Sequence, residues 1–91
     1  MLGDTISFFG AKGIENVLQM HQAITDLRDH YRRQGLPQPP LPDDVLQLVP
    51  CSIDVTETEG AHGMRTGKVL ITKPDGETLF EQDWLVSAGQ S

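Results

Sequence analysis

The stretch "IENVLQMHQAITDLRDHYRRQG", Ile14 to Gly35, decides how the chain is to be read. Val17, Met20, Ile24, Leu27 and Tyr31 recur at steps of three and four, the period of one helix face, and Ile14 and Leu18 widen that stripe on one side. Arg32 and Arg33 fall in the last turn, where cations oppose the negative end of the helix dipole. Gly35 suits a left-handed cap, and Pro37 cannot continue the helix. The spacing therefore predicts a helix over 14–34. Four turns of stripe are short for a coiled-coil seam, so the apolar face is expected to pack on a sheet.

Downstream the period changes to two. In "SIDVTETE" Ile53 and Val55 share one face, and Asp54, Thr56 and Thr58 share the other. Cys51 is in phase with Ile53 and is expected to pack inward as an inert thiol. In "KVLITK" Val69 and Ile71 point one way and Leu70 the other. "KPDGE" is a turn, with Pro74 presetting φ and Gly76 taking positive φ. In "TLFEQDWLV" Phe80, Trp84 and Val86 are expected inside, with Leu79, Glu81, Asp83 and Leu85 outside. Three such runs over 51–86 predict an antiparallel meander. Upstream of the helix, "DTISFF" (Asp4–Phe9) reads as a further short strand ending at Gly10, within an N-terminal arm over 1–13. "LPQPPLP" opens a stiff connector over 36–50, containing one short helical turn capped by Asp43 or Asp44, and 87–91 form a tail. The expectation is a single α+β domain, a two-layer sandwich of one long helix on an antiparallel sheet of three to four strands.

The order strand, long helix, antiparallel strands is that of cystatin-like folds, and "QLVPC" (Gln47–Cys51) resembles their Gln-x-Val-x-Gly hairpin. Cys51 stands where that turn needs glycine and Pro50 lies within it, so no protease inhibition is transferred.

Composition limits the function. The 91 residues suffice for one core, and no apolar run approaches the roughly 18 residues of a membrane span. A start without basic residues or a long apolar stretch argues against a secretory signal, and one cysteine suits a reducing compartment; a cytoplasmic location is expected. The net charge of −6 is uneven: residues 1–36 balance, whereas residues 37–91 carry nine acids against Arg65, Lys68 and Lys73. Nucleic-acid binding needs a basic face, so nucleic acid is not an expected partner.

"EGAHGMRTGK", Glu59 to Lys68, looks at first like a phosphate loop. The Walker pattern needs four residues between its glycines, a hydroxyl after the lysine and a following helix. Gly63 and Gly67 enclose three residues, Val69 replaces the hydroxyl, and a strand follows. The stretch reads as a hairpin loop. A zinc site needs convergent Cys, His or carboxylate ligands, but His21 and His30 fall on opposite helix faces and His62 and Cys51 stand apart. Glu57 with Glu59, and Glu81 with Asp83, share strand faces as solvated pairs. No catalytic residue, metal or cofactor is expected, and the chain is read as a non-enzyme.

Two candidate sites emerge. Leu70, Leu79 and Leu85, mingled with Asp54, Glu81 and Asp83, are expected on the outer sheet face as an interface for a protein partner or a second copy. His21, Arg28 and Arg32 fall within about 40° on the helical wheel and, with Trp84, suggest an anion or ligand pocket between helix and sheet. The primary reading is a small acidic interaction module, with a homodimer as one form of it. A ligand-binding or enzymatic pocket is the alternative, and an acidic decoy of a nucleic-acid-binding protein a further one.

Overall fold

The computed structural model describes residues 5–87, with side chains from Phe9 onward. Asp4 and the tail beyond Ser87 lie outside the described residues. Strand β1 (Thr5–Ile14) leads into helix α1 (Val17–Arg33), and a connector with a single 3-10 turn (Val45–Gln47) leads to β2 (Cys51–Glu59), β3 (Arg65–Thr72) and β4 (Thr78–Ser87). The four strands form one antiparallel sheet in the order β1-β2-β3-β4. The fold is α+β, with one helix packed on a four-stranded antiparallel sheet.

Three expected boundaries move. β1 does not stop at Gly10 but runs to Ile14, because register shifts between Ser7 and Phe9 and between Ala11 and Ile14 let it keep pairing with β2. Only Glu15 and Asn16 then separate β1 from α1, so the helix starts at Val17 rather than Ile14. Asn16 caps it, its side chain accepting from the Gln19 amide at 2.9 Å. Because α1 leaves straight from an edge strand, its first turn overhangs the sheet: Val17 and Leu18, expected in the stripe, are 51% and 82% exposed. At the other end Gly35 takes φ +69°, and the amides of Gly35 and Leu36 close onto Arg32 and Tyr31 carbonyls. At the 3-10 turn Asp44 holds the N-cap position without a side-chain hydrogen bond.

The buried face of α1 is Met20, Ala23, Ile24, Leu27 and Tyr31. It meets Cys51, Ile53 and Val55 of β2, Val69 and Ile71 of β3, and Val86 of β4, with Ile14 and Val45 closing the edges of the core. Burying each of the larger side chains stabilises the fold by about 1.5–3 kcal/mol. Lys73–Glu77 forms the predicted turn, with Gly76 at φ +96° and its amide bonded to the Lys73 carbonyl. The β2–β3 connection is the hairpin loop expected of Glu59–Lys68, but it is confined to 60–64, since β3 already begins at Arg65. Gly67 lies directly under Trp84, and a Cβ there would stand 2.5 Å from the ring.

Candidate functional site

The outer face of the sheet is built in cross-strand rows. Asp54, Leu70 and Glu81 form one row, Thr56, Lys68 and Asp83 the next, and Thr58, Thr66 and Leu85 the third. Residues directly opposite one another point to the same side, so the register alone assembles this surface. Lys68 Nζ lies 3.2 Å from Glu81 Oε2. The predicted leucine patch is not continuous. Leu70 is half-buried, and Leu85, 52% exposed, lies four residues along β4 from Leu70's partner Glu81, about 13 Å away. Leu79 leaves the outer face: the pairing shifts between Ile71 and Thr72, and this irregularity turns Leu79 to pack against the core beside Phe80. On this face the acids are only Asp54, Glu81 and Asp83, with Lys68 beside Asp83 and paired with Glu81, not the unbroken stripe that would imitate a phosphate backbone.

β1 and β4 are the sheet edges. β1 is interrupted by irregularities along its length, a device that discourages pairing. β4 pairs regularly with β3 from Phe80 to Leu85, its irregularities being confined to the ends. That run presents one row of backbone donors and acceptors outward, flanked by the exposed carboxylates of Glu81 and Asp83.

Inside, the structure overturns the reading of Glu57 as a solvated acid. Glu57 is 1% exposed. The Tyr31 hydroxyl donates to its Oε2 at 3.1 Å, and the Arg65 guanidinium pairs with its Oε1. Tyr31 packs edge-on against Trp84, with ring centroids 5.6 Å apart, and Trp84 Nε1 donates to the Pro37 carbonyl at 3.3 Å. Burial, and next the Glu57 charge, hold the Tyr31 phenol well above its ordinary range, so it stays protonated as a donor. Among the described residues no buried side-chain polar atom lacks a partner. Tyr31, Glu57 and Arg65 therefore form a satisfied buried network, with Arg65, one-third exposed, reaching it from the rim. A signal existed for Glu57: it continues the inward parity of Cys51, Ile53 and Val55. Cys51 is itself 1% exposed, its thiol pushed up by burial, as the parity implies.

The predicted ligand residues divide. His21 and Arg28 do line one depression of about 300 Å³, but its second wall is the connector, not the sheet. Ile24 and Val45, both buried, and Leu46 make its floor; Thr25 and Asp43 join the rim. Arg32 and Trp84 do not line it: Arg32 pairs with Asp29, and Trp84 packs on Tyr31. The helical wheel placed Arg28 and Arg32 close in angle, but the depression that connector residues 41–46 form with α1 spans the turns from His21 to Arg28, and Arg32 lies one turn beyond.

Among the described residues no three His, Cys, Asp or Glu side chains cluster to hold a metal ion, and no helix is long and apolar enough to cross a membrane. Comparison with protein-family models, curated proteins and solved structures returns no match.

Proposed function

We infer that this protein is a non-enzymatic interaction module whose β4 edge takes up an extended, basic segment of a protein partner. The observation that carries this reading is the regular open run Phe80–Leu85 with Glu81 and Asp83 beside it. Strand addition draws affinity from main-chain hydrogen bonds and specificity from alternate side chains. Lysines or arginines at alternate positions of the incoming strand would lie opposite the two carboxylates. The surplus of acids in residues 37–91 adds a long-range attraction for such a segment. The polar groups that could suggest chemistry have structural duties instead: Glu57 is neutralised by Arg65, and Cys51 is sealed in the core.

A second copy of the chain suits this edge less well. In a two-fold pair centred on Gln82, each Glu81 would face the Asp83 of the other copy, and like charges directly opposite are destabilising. With Leu79 withdrawn, the remaining leucines contribute less to offset that repulsion.

The test uses a ten-residue peptide alternating lysine and valine, titrated at low and at 500 mM salt while backbone amide resonances are followed. Shifts confined to Phe80–Leu85, lost at high salt and in Glu81→Lys/Asp83→Lys, are expected. Shifts unchanged in that variant, or none at low salt, would refute the reading. Light scattering on the native chain and on Leu70→Glu distinguishes self-association: a native dimer abolished by Leu70→Glu would replace the basic partner with a second copy.

A further inference from the structure

We propose that the depression between α1 and the connector is a binding site for a small monoanionic carboxylate carrying a short apolar body. The site lies at the helix–connector wall, apart from β4, and does not depend on how that edge is used. His21, Thr25 and Arg28 sit at positions i, i+4 and i+7 of α1, so one helix face presents an imidazole, a hydroxyl and a guanidinium to the same space. Beneath them lie Ile24, Val45 and Leu46. The exposed lining is more polar than apolar, with Leu41 adding to its apolar part, and about 300 Å³ is at the lower end of the size range for a small-molecule site.

The ionic state of the rim points to the ligand's charge. The chain has nearly two acids for each base, with 13 Asp and Glu against seven Lys and Arg. Arg32, Arg65, Lys68 and Lys73 each pair with a carboxylate. Among the described residues Arg28, Arg33 and Lys12 have no such pair, nor does His21; of the three Lys and Arg only Arg28 lines this depression, which Asp43 also lines. The guanidinium is thus left with its planar fork of donors at the mouth of a concavity, the arrangement that receives a carboxylate through two parallel hydrogen bonds. Asp43 limits the charge that can enter. A dianion such as phosphate would bring a second negative charge near that carboxylate with one fixed cation to balance it. A monoanion meets Arg28 one to one, and Leu41, Leu46 and the edges of Ile24 and Val45 offer a small apolar surface to a short hydrocarbon body.

The experiment titrates the chain with sodium hexanoate, and separately with acetate, 1-hexanol and inorganic phosphate, at constant ionic strength while amide resonances are recorded. Hexanoate is expected to shift His21, Thr25, Arg28 and Leu46 saturably at millimolar concentration. Acetate, lacking the apolar body, and hexanol, lacking the charge, should each bind at least tenfold more weakly, and phosphate should not displace hexanoate. Arg28→Gln, an exposed change on the helix surface, should weaken hexanoate at least tenfold, whereas Arg33→Gln should leave it unchanged. Non-saturating shifts, equal binding of hexanol, tighter binding of phosphate, or hexanoate binding retained in Arg28→Gln would each overturn the assignment. Unchanged amide spectra outside the depression in both variants establish that the fold is intact.

Discussion

Replacing Arg65 by alanine removes the counter-charge from a carboxylate that is 1% exposed. Breaking a fully buried ion pair by deleting one partner costs about 3–5 kcal/mol, because the remaining charge is left in a poorly solvating interior. Arg65 is one-third exposed, so water already screens its side of the pair, and Tyr31 still donates to Glu57 in the variant. The expected cost is therefore below that range, about 2–3 kcal/mol. On a total stability of about 5–14 kcal/mol for 91 residues, that is a large fraction, and it corresponds to a fall in Tm of about 8–24 °C. Glu57→Gln removes the charge but keeps a carbonyl oxygen that can accept from Tyr31, and Arg65 can turn to solvent; about 1 kcal/mol is expected. The double variant Glu57→Gln/Arg65→Ala has neither charge, so it should cost about 1 kcal/mol rather than the sum. The cycle then yields about 2–3 kcal/mol of coupling. Urea unfolding followed by the emission of Trp84, the sole tryptophan, measures all four proteins, and that ring packs directly on Tyr31. An Arg65→Ala cost below about 0.5 kcal/mol, or costs that simply add in the double variant, would show that the pair behaves as an ordinary surface bridge and refute the reasoning.

Two further outcomes follow from the same corner of the molecule. Tyr31, the only tyrosine, has its phenol raised in the folded state by burial and by Glu57, so the stability this contributes is complete below the unfolded phenol's value near pH 10. Above that pH the unfolded chain ionises first, and stability should fall by up to about 1.4 kcal/mol per pH unit until the folded phenol ionises. Tyr31→Phe should lack this component of the alkaline decline, and in the native protein tyrosinate absorbance should rise together with unfolding; ionisation near pH 10 with the fold intact would contradict it. Gly67→Ala places a methyl 2.5 Å from the Trp84 ring, so the ring must swing or the strands must part. A loss of about 1–3 kcal/mol with a red-shifted Trp84 emission is expected in a urea titration, and native stability and emission would show that the ring yields freely.

The two layers were legible because each has a period that burial imposes. Met20, Ile24, Leu27 and Tyr31 at helical steps, Ile53 and Val55, Val69 and Ile71 at alternate positions, and a Pro-Asp-Gly turn leave few other folds open. The periods failed where a strand is irregular. Gly10 reads as a stop because glycine usually punctuates a strand, although irregular pairing with β2 runs on to Ile14, and the irregularity near Thr78 moves Leu79 off the face that strict alternation assigns it. The overhang of Val17 and Leu18 follows from the two-residue link to an edge strand, which no helical wheel contains. Of the sites, the angular match of His21 and Arg28 was visible on the wheel, but the second wall of their depression comes from a connector with no period at all. Glu57 shows the division most clearly. Its parity pointed inward from the start, while its charge argued for water. Only the tertiary structure, by bringing Tyr31 from the helix 26 residues away and Arg65 from the next strand, supplies the donor and the cation that let a carboxylate stay buried.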